Sequence, residues 1–377
     1  MSNGGSNAPQ GRGLPAPPPV GTRGMKGEPL DGVRRIAVLH SRGIGDFVFA
    51  LPALHALRAA YPAAEMVLLG APWYVEFLAG RPVPVHRVVP VQTSAVTGPD
   101  DLASGSLDAF FAEQAAERYD LAVQLQGGGR YSNPFLLRLG ARHTVGARTR
   151  DAAPLERWIP YFHYQNEVMR CLEVAGLVGA PPVQLEPSLA PTAADLEESR
   201  QIVPEGPDPV VALHPGASDT RRRWPPERFA SVADALVAAG ARVVVTGTEP
   251  ERETVRQVLA TTREEASDAC GRLSVSGLLG LLSRCRLVVS NDTGPLHLAE
   301  AVGAATVGLF WCGNLINAGP FGRRRHRPLI SWQLDCPVCG TDCTAADCPH
   351  RPSFLLRIHV DEAREQALDL FGDDSHT

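Results

Sequence analysis

The sequence predicts an α/β protein built as two doubly wound, Rossmann-like domains facing each other across a cleft. Three observations carry this. The chain has 377 residues, which at about 150 residues per domain calls for two cores rather than one. Two separate stretches repeat one plan: apolar strand, loop of small residues, amphipathic helix, next strand. The strands are continuous apolar runs, the pattern of parallel sheets covered by helices on both faces.

Taken in order, residues 1–32 are rich in Gly, Pro, Ser and Asn and have no apolar stretch, so they read as a disordered leader and not as a signal peptide. The first domain is expected over 33–180. It opens with the strand Arg35 to His40 and turns through Ser41-Arg42-Gly43-Ile44-Gly45-Asp46. A helix follows, carrying Phe47, Leu51, Leu54 and Leu57 at helical spacing. Glu65 to Leu69 is the next strand, ended by Gly70 and Pro72. Tyr119 to Leu125 is another, running into Gln126-Gly127-Gly128-Gly129-Arg130 and a helix expected to be capped by Ser132 or Asn133. Prolines and acidic residues mark 181–208 as a linker.

The second domain is expected over 209–360. Its strand Pro209 to Leu213 opens into His214-Pro215-Gly216-Ala217, and Pro225 and Pro226 mark a helix start, since proline fits the first turn. That helix ends near Gly240. Arg242 to Thr246 and Leu287 to Ser290 are strands, with a helix over Leu278 to Arg284 between them. Asn291-Asp292-Thr293-Gly294-Pro295 starts a further helix, Ala305 to Phe310 closes the set, and 361–377 form a last helix and tail.

Composition removes several classes. With 36 basic and 41 acidic residues the net charge is −5, so no broad positive field exists for nucleic acid. No apolar run approaches the roughly 20 residues of a membrane helix. Any membrane contact is therefore expected to be peripheral. Lys26 is the sole lysine, leaving arginine as almost the whole cation inventory. Eight cysteines in so long a chain do not make a disulfide scaffold, and a reducing cytoplasm is the expected compartment.

Three loops at strand ends can carry chemistry. Gly43 and Gly45 hint at a dinucleotide fingerprint, but Val48 stands at its sixth position and Asp46 would repel a pyrophosphate at the helix start. A carboxylate on a glycine loop suits proton abstraction from a hydroxyl, with helix capping by Asp46 the alternative. The loop Ser290 to His297 leads from strand directly into helix, exposing backbone N–H groups where Gly294 admits a phosphate oxygen and His297 lies one turn in. Capping by Asp292 or Thr293 stays open there too. Finally, Arg221-Arg222-Arg223 just before a helix would stabilise a departing diphosphate, unless the triplet is simply a solvated loop.

In order along the chain, Gly45-Asp46 with Leu51-Pro52-Ala53-Leu54, His214-Pro215-Gly216, Arg222-Arg223-Trp224-Pro225 with Phe229, and Asp292-Thr293-Gly294 with His297 resemble the heptosyltransferase-like glycosyltransferases of family nine. The resemblance spans nearly all of residues 33 to 370. It implies a GT-B architecture whose last helix crosses back to the first domain, and an inverting, metal-independent transfer from an ADP-sugar, typically ADP-heptose, to a glycan or glycolipid hydroxyl. By it, Asp46 matches the general base, and Arg222 replaces the family's usual lysine before Trp-Pro, keeping charge but changing geometry. His214, Gly216, Glu249, Asp292, Thr293, Gly294 and His297 fall on the donor side, with Glu249 a candidate for the ribose hydroxyls. Gly45, Gln126 and Arg130 fall on the acceptor side.

No cofactor is required by this reading. Cys336, Cys339, Cys343 and Cys348, followed by His350, nevertheless supply enough ligands for a structural zinc, with reduced thiols or occasional disulfides as the alternatives. Two further functions remain open at this point: a nucleotide-sugar epimerase of the same architecture, and a non-catalytic nucleotide-sugar binder.

Overall fold

The computed structural model describes residues 27–98, 107–346 and 348–373. The first sheet contains β1 (Arg35–His40), β2 (Glu65–Gly70), β3 (Arg87–Pro90), β4 (Leu121–Gln124), β5 (His143–Arg148) and β6 (Arg157–Pro160). The second contains β7 (Val210–His214), β8 (Arg242–Val245), β9 (Ala266–Asp268), β10 (Cys285–Asn291), β11 (Ala305–Trp311) and β12 (His326–Ser331). Strand orders are β3-β2-β1-β4-β5-β6 and β12-β11-β10-β7-β8-β9, and every pairing is parallel. Each order reverses direction once, between β1 and β4 and between β7 and β10. Ligands of doubly wound sheets bind beyond the carboxyl ends of the strands at such a point.

Nine helices matter for placing the site: α1 (Ile44–Ala60), α2 (Ser132–Arg138), α3 (Glu167–Gly176), α4 (Ala193–Ile202), α5 (Pro226–Ala238), α6 (Val275–Ser283), α7 (Gly294–Ala301), α8 (Cys312–Ala318) and α9 (Val360–Gly372). In α1 the predicted apolar face is buried, with Phe47, Leu51, Leu54 and Leu57 fully covered; each such side chain contributes about 1.5–3 kcal/mol on burial. The helix packs on both α3 of its own domain and α7 of the other. One buried cluster accordingly runs from Ile36 and Leu51 through Leu172 to Leu279 and Leu298, joining the two halves.

Several expectations are corrected. Residues 1–26 of the leader lie outside the described residues, but residues 27–32 already belong to the fold: the Leu30 N–H donates to the Tyr61 hydroxyl at 3.0 Å. Ser132 and Asn133 do not cap α2. Ser132 accepts from the Gln124 amide at 2.8 Å and Asn133 donates to Ala147 and Ala153 carbonyls, so both are spent on tertiary bonds. The linker holds α4, fixed by a capping box between Thr192 and Asp195 and packed on α6. Asp195 also forms a buried ion pair with Arg81 of the first domain at 2.8 Å. The last helix does not cross back to the first domain. Ala363, Ala367 and Leu370 of α9 are buried in the second core against α5, and Trp224 and Arg228 hold the preceding turn through the Ile358 carbonyl. Residues 374–377 of the tail lie outside the described residues.

Candidate active site

A cavity of about 490 Å3 lies where the two switch points face each other. Its wall on the first domain includes His40, Arg42, Gly45, Asp46 and Gln126, and its wall on the second includes Ser218, Arg222, Asp292, Thr293, Gly294, His297 and Asn314. The amino ends of α1 and α7 meet here. A Cβ on Gly45 would sit 3.1 Å from the His297 ring and 3.5 Å from Gly294 Cα, and one on Gly294 would sit 2.4 Å from Ile44 Cγ2. A side chain at either position would crowd the contact, most of all at Gly294, because two helix starts from different domains abut.

Asp46 is not the cap of α1; the N-cap position is Gly43, and the Asp46 carboxylate turns to Arg42 at 3.3 Å, half-exposed to the cavity. Gln126 accepts a hydrogen bond from the Ser41 N–H, which fixes the loop leading to Asp46. Beneath it, His40 bonds the Tyr74 hydroxyl at 2.8 Å. Burial pushes His40 down to about 4, outweighing the nearby Asp46 charge, so the ring is neutral at physiological pH.

The opposite wall is a charged network. Asp292 is buried and accepts from His297 Nε2 at 3.1 Å, from Asn314 at 2.8 Å and from Arg222 at 3.2 Å. Burial would raise its carboxyl, but the His297 bond and charge, with Arg222 and Asn314, hold it below the ordinary value. His297 donates its second ring N–H to Glu300 at 3.2 Å. Burial opposes its charge, yet the two carboxylates push His297 up to about 9, so it is an imidazolium locked between them. Arg222 also donates to the Asp292 carbonyl at 3.0 Å and to Ser218 at 3.1 Å. Thr293 is the N-cap of α7 and makes no side-chain cap bond. The first N–H groups of a helix have no intrahelical partner, which suits them to an anion. The Asp292 carboxylate is thereby engaged by His297, Arg222 and Asn314.

This arrangement pairs a carboxylate on one wall with a helix start and a guanidinium on the other. The family model described as glycosyltransferase family 9 (heptosyltransferase) matches residues 109–336, more than half of the chain. The chain belongs to glycosyltransferase family 9. Lipopolysaccharide heptosyltransferase 1 of Pseudomonas aeruginosa is 27% identical over 344 residues, covering 89% of this chain and 93% of that protein. Lipopolysaccharide heptosyltransferase 2 of Escherichia coli is 24% identical over 297 residues, 73% of this chain and 82% of that protein. The structure of E. coli ADP-heptose lps heptosyltransferase II matches with a TM-score of 0.71 at 20% identity, covering 89% of this chain and 98% of that one. The fold is thus the GT-B architecture, and this family 9 member is a glycosyltransferase rather than an epimerase or a passive binder.

Four of the residues expected in the glycosyltransferase site line no part of the cavity. Arg130 is 67% exposed and faces Asp151 at 3.5 Å. His214 is buried behind the second wall, bonded to Thr246 at 3.1 Å, where burial lowers its pKa. Gly216 leaves room for a carboxylate: a Cβ there would lie 2.2 Å from Glu251. Glu251, not Glu249, is the buried acid of that loop, bonded to the Thr248 N–H and hydroxyl at 2.8 Å. Glu249 is exposed and clamped by Arg252 at 2.6 Å. Among residues not anticipated, His40 and Arg42 flank the glycine loop and were within reach of its reading. Asn314 arrives from α8, and no local motif announces it.

The cysteine segment also departs from expectation. All eight cysteines are free thiols. The four donors that converge are Cys336, Cys339, Cys348 and His350, all within 4.8 Å of one another. Cys343 instead points its sulfur at the Thr341 carbonyl at 3.4 Å. Among the described residues no helix is long and apolar enough to cross a membrane.

Proposed function

We propose that this glycosyltransferase moves a heptosyl group from an ADP-heptose donor to a hydroxyl of a lipopolysaccharide-core type acceptor, by one inverting displacement. The observation that carries the reading is the convergence of two helix starts on one cavity, Asp46 on one wall and the Arg222–Asp292–His297 network on the other. Asp46 takes the proton of the attacking hydroxyl as that oxygen bonds to the anomeric carbon. The bond from that carbon to the diphosphate breaks, and ADP leaves with the electron pair. Backbone N–H groups at Thr293 and Gly294 hold the diphosphate. Arg222 has five donors and spends three hydrogen bonds on Asp292 and Ser218, so it can also serve the leaving charge.

Asp292 and His297 act as positioning residues: their mutual bond aims Arg222 and the start of α7. Gly45 supports the same closeness from the acceptor side, and Gln126 orients the Asp46 loop. No step passes through a metal, and a structural zinc in the cysteine segment is compatible with the reading. Transfer at the cytoplasmic face, with peripheral contact to a lipid-borne acceptor, fits the absence of a spanning helix among the described residues.

The test is transfer from ADP-heptose, with ADP release and product configuration followed together. Asp46→Asn is expected to lower turnover about 10²–10⁴-fold while leaving ADP affinity unchanged. Wild-type turnover in that variant would remove Asp46 as the base, and retention of configuration would remove the single displacement.

A further inference from the structure

The segment around the cysteines lacks the means to hold its own shape by packing. Between residues 334 and 350 only Cys336 and Cys348 are buried among the described residues, whereas Leu334 and Val338 are 45% and 63% exposed. A stretch this short with no apolar core needs another staple. Its backbone is nevertheless tightly turned. The Gly340 N–H donates to the Cys336 carbonyl and the Cys336 N–H to the Thr341 carbonyl, both at 2.8 Å. Gly340 has φ +70°, a left-handed conformation that closes the turn and that glycine adopts without strain. Asp335 pairs with Asp342 across it. This Cys336-Pro337-Val338-Cys339-Gly340 knuckle presents two sulfurs on one side. Cys348 and His350 approach from the other strand of the segment.

The donor spacing fits one ion. Cys339 Sγ lies 3.4 Å from Cys348 Sγ, and Cys348 Sγ lies 3.3 Å from His350 Nδ1. Tetrahedral zinc with Zn–S near 2.3 Å and Zn–N near 2.0–2.1 Å has S–S edges of about 3.8 Å and S–N edges of about 3.5 Å, so these separations, with all four donors within 4.8 Å, lie a few tenths of an ångström inside the edges that an ion would set. Three thiolates and an imidazole leave the complex one negative charge, and Arg351 donates to the Cys348 carbonyl at 2.7 Å beside it. Hard cations prefer oxygen donors, so this set selects a thiophilic ion.

We infer that Cys336, Cys339, Cys348 and His350 bind a zinc ion that rigidifies this lobe, and that the lobe clasps the first domain through Tyr164. The Tyr164 hydroxyl donates to the Thr344 carbonyl at 2.9 Å, between Cys343 and Cys348 in sequence. Tyr164 follows His163, and Tyr161 and His163 both line the cavity. The zinc lobe thereby fixes a cavity wall from the opposite domain. That this wall belongs to the acceptor rests on the proposed transfer reading; the metal site does not.

The experiment uses the full chain, purified without a metal-binding tag, with metal content measured by mass spectrometry. About one zinc per chain is expected in the wild type and in Cys343→Ser, and at least a tenfold loss in Cys348→Ser and His350→Ala. His350→Cys should retain the ion and guards against reading a folding failure as a ligand loss. Zinc below a tenth of an equivalent in the wild type would overturn the site, as would iron in its place, or loss in Cys343→Ser with retention in His350→Ala. For the clasp, Tyr164→Phe is expected to keep its zinc and ADP affinity but raise the acceptor KM several-fold. An unchanged acceptor KM with zinc retained would overturn the clasp alone, and zinc binding without any transfer would sink the transfer reading alone.

Discussion

At the scale of single residues, the site turns on how charge is shared between His297 and Asp292. His297 has a folded pKa of about 9, above its ordinary 6.5, because Asp292 and Glu300 outweigh burial. A raised value means the protonated ring stabilises the fold fully below pH 6.5, and this contribution is lost as pH rises through 9. Asp292 is shifted the other way, so its contribution is lost on acidification. Melting temperature and ADP affinity should therefore fall together between pH 7 and 10, and His297→Gln should flatten that alkaline limb. A wild-type alkaline limb that persists in His297→Gln would sink the assignment. At this scale legibility was uneven. Asp46, Thr293 and Gly294 stand at strand–helix junctions, where the local pattern announces them. Glu251 is separated from Glu249 only by which way a short turn points, and spacing alone does not encode that; nor does it say that Cys343 is the one of the five zinc candidates that stands apart.

At the scale of elements, the strands and helices facing the cleft were readable because they are long, apolar or capped by proline and glycine. Edge strands were not: Arg87–Pro90 and Ala266–Asp268 are short and only half-buried, so neither periodicity nor composition sets them apart from loops. Helix α4 hid in a proline- and acid-rich stretch, although Thr192 and Asp195 hold the spacing of a capping box. The family resemblance sends α9 to the first domain, whereas its apolar face is buried in the second core, and an amphipathic helix does not itself state which core it will join. The Asp195–Arg81 pair makes α4 a structural tie rather than a tether. Arg81→Met would leave Asp195 buried without its cation, at a cost of about 3–5 kcal/mol. Denaturant melts should show it, and a change near the 0.5 kcal/mol of a surface substitution would mean the tie carries no weight.

At the scale of the whole molecule, the two sheets repeat one strand order and bring their reversal points face to face, which is why one cavity receives loops from both. The doubled plan was legible in the repeated strand–loop–helix pattern; the closeness of the halves was not, since it depends on Gly45 and Gly294 meeting from 249 positions apart (294 minus 45). The buried cluster that continues from Leu51 to Leu298 leaves no dry seam along which the lobes could part separately. In a scanning calorimeter the protein should consequently give a single endotherm, with calorimetric and van't Hoff enthalpies in agreement, where beads on a string would give two.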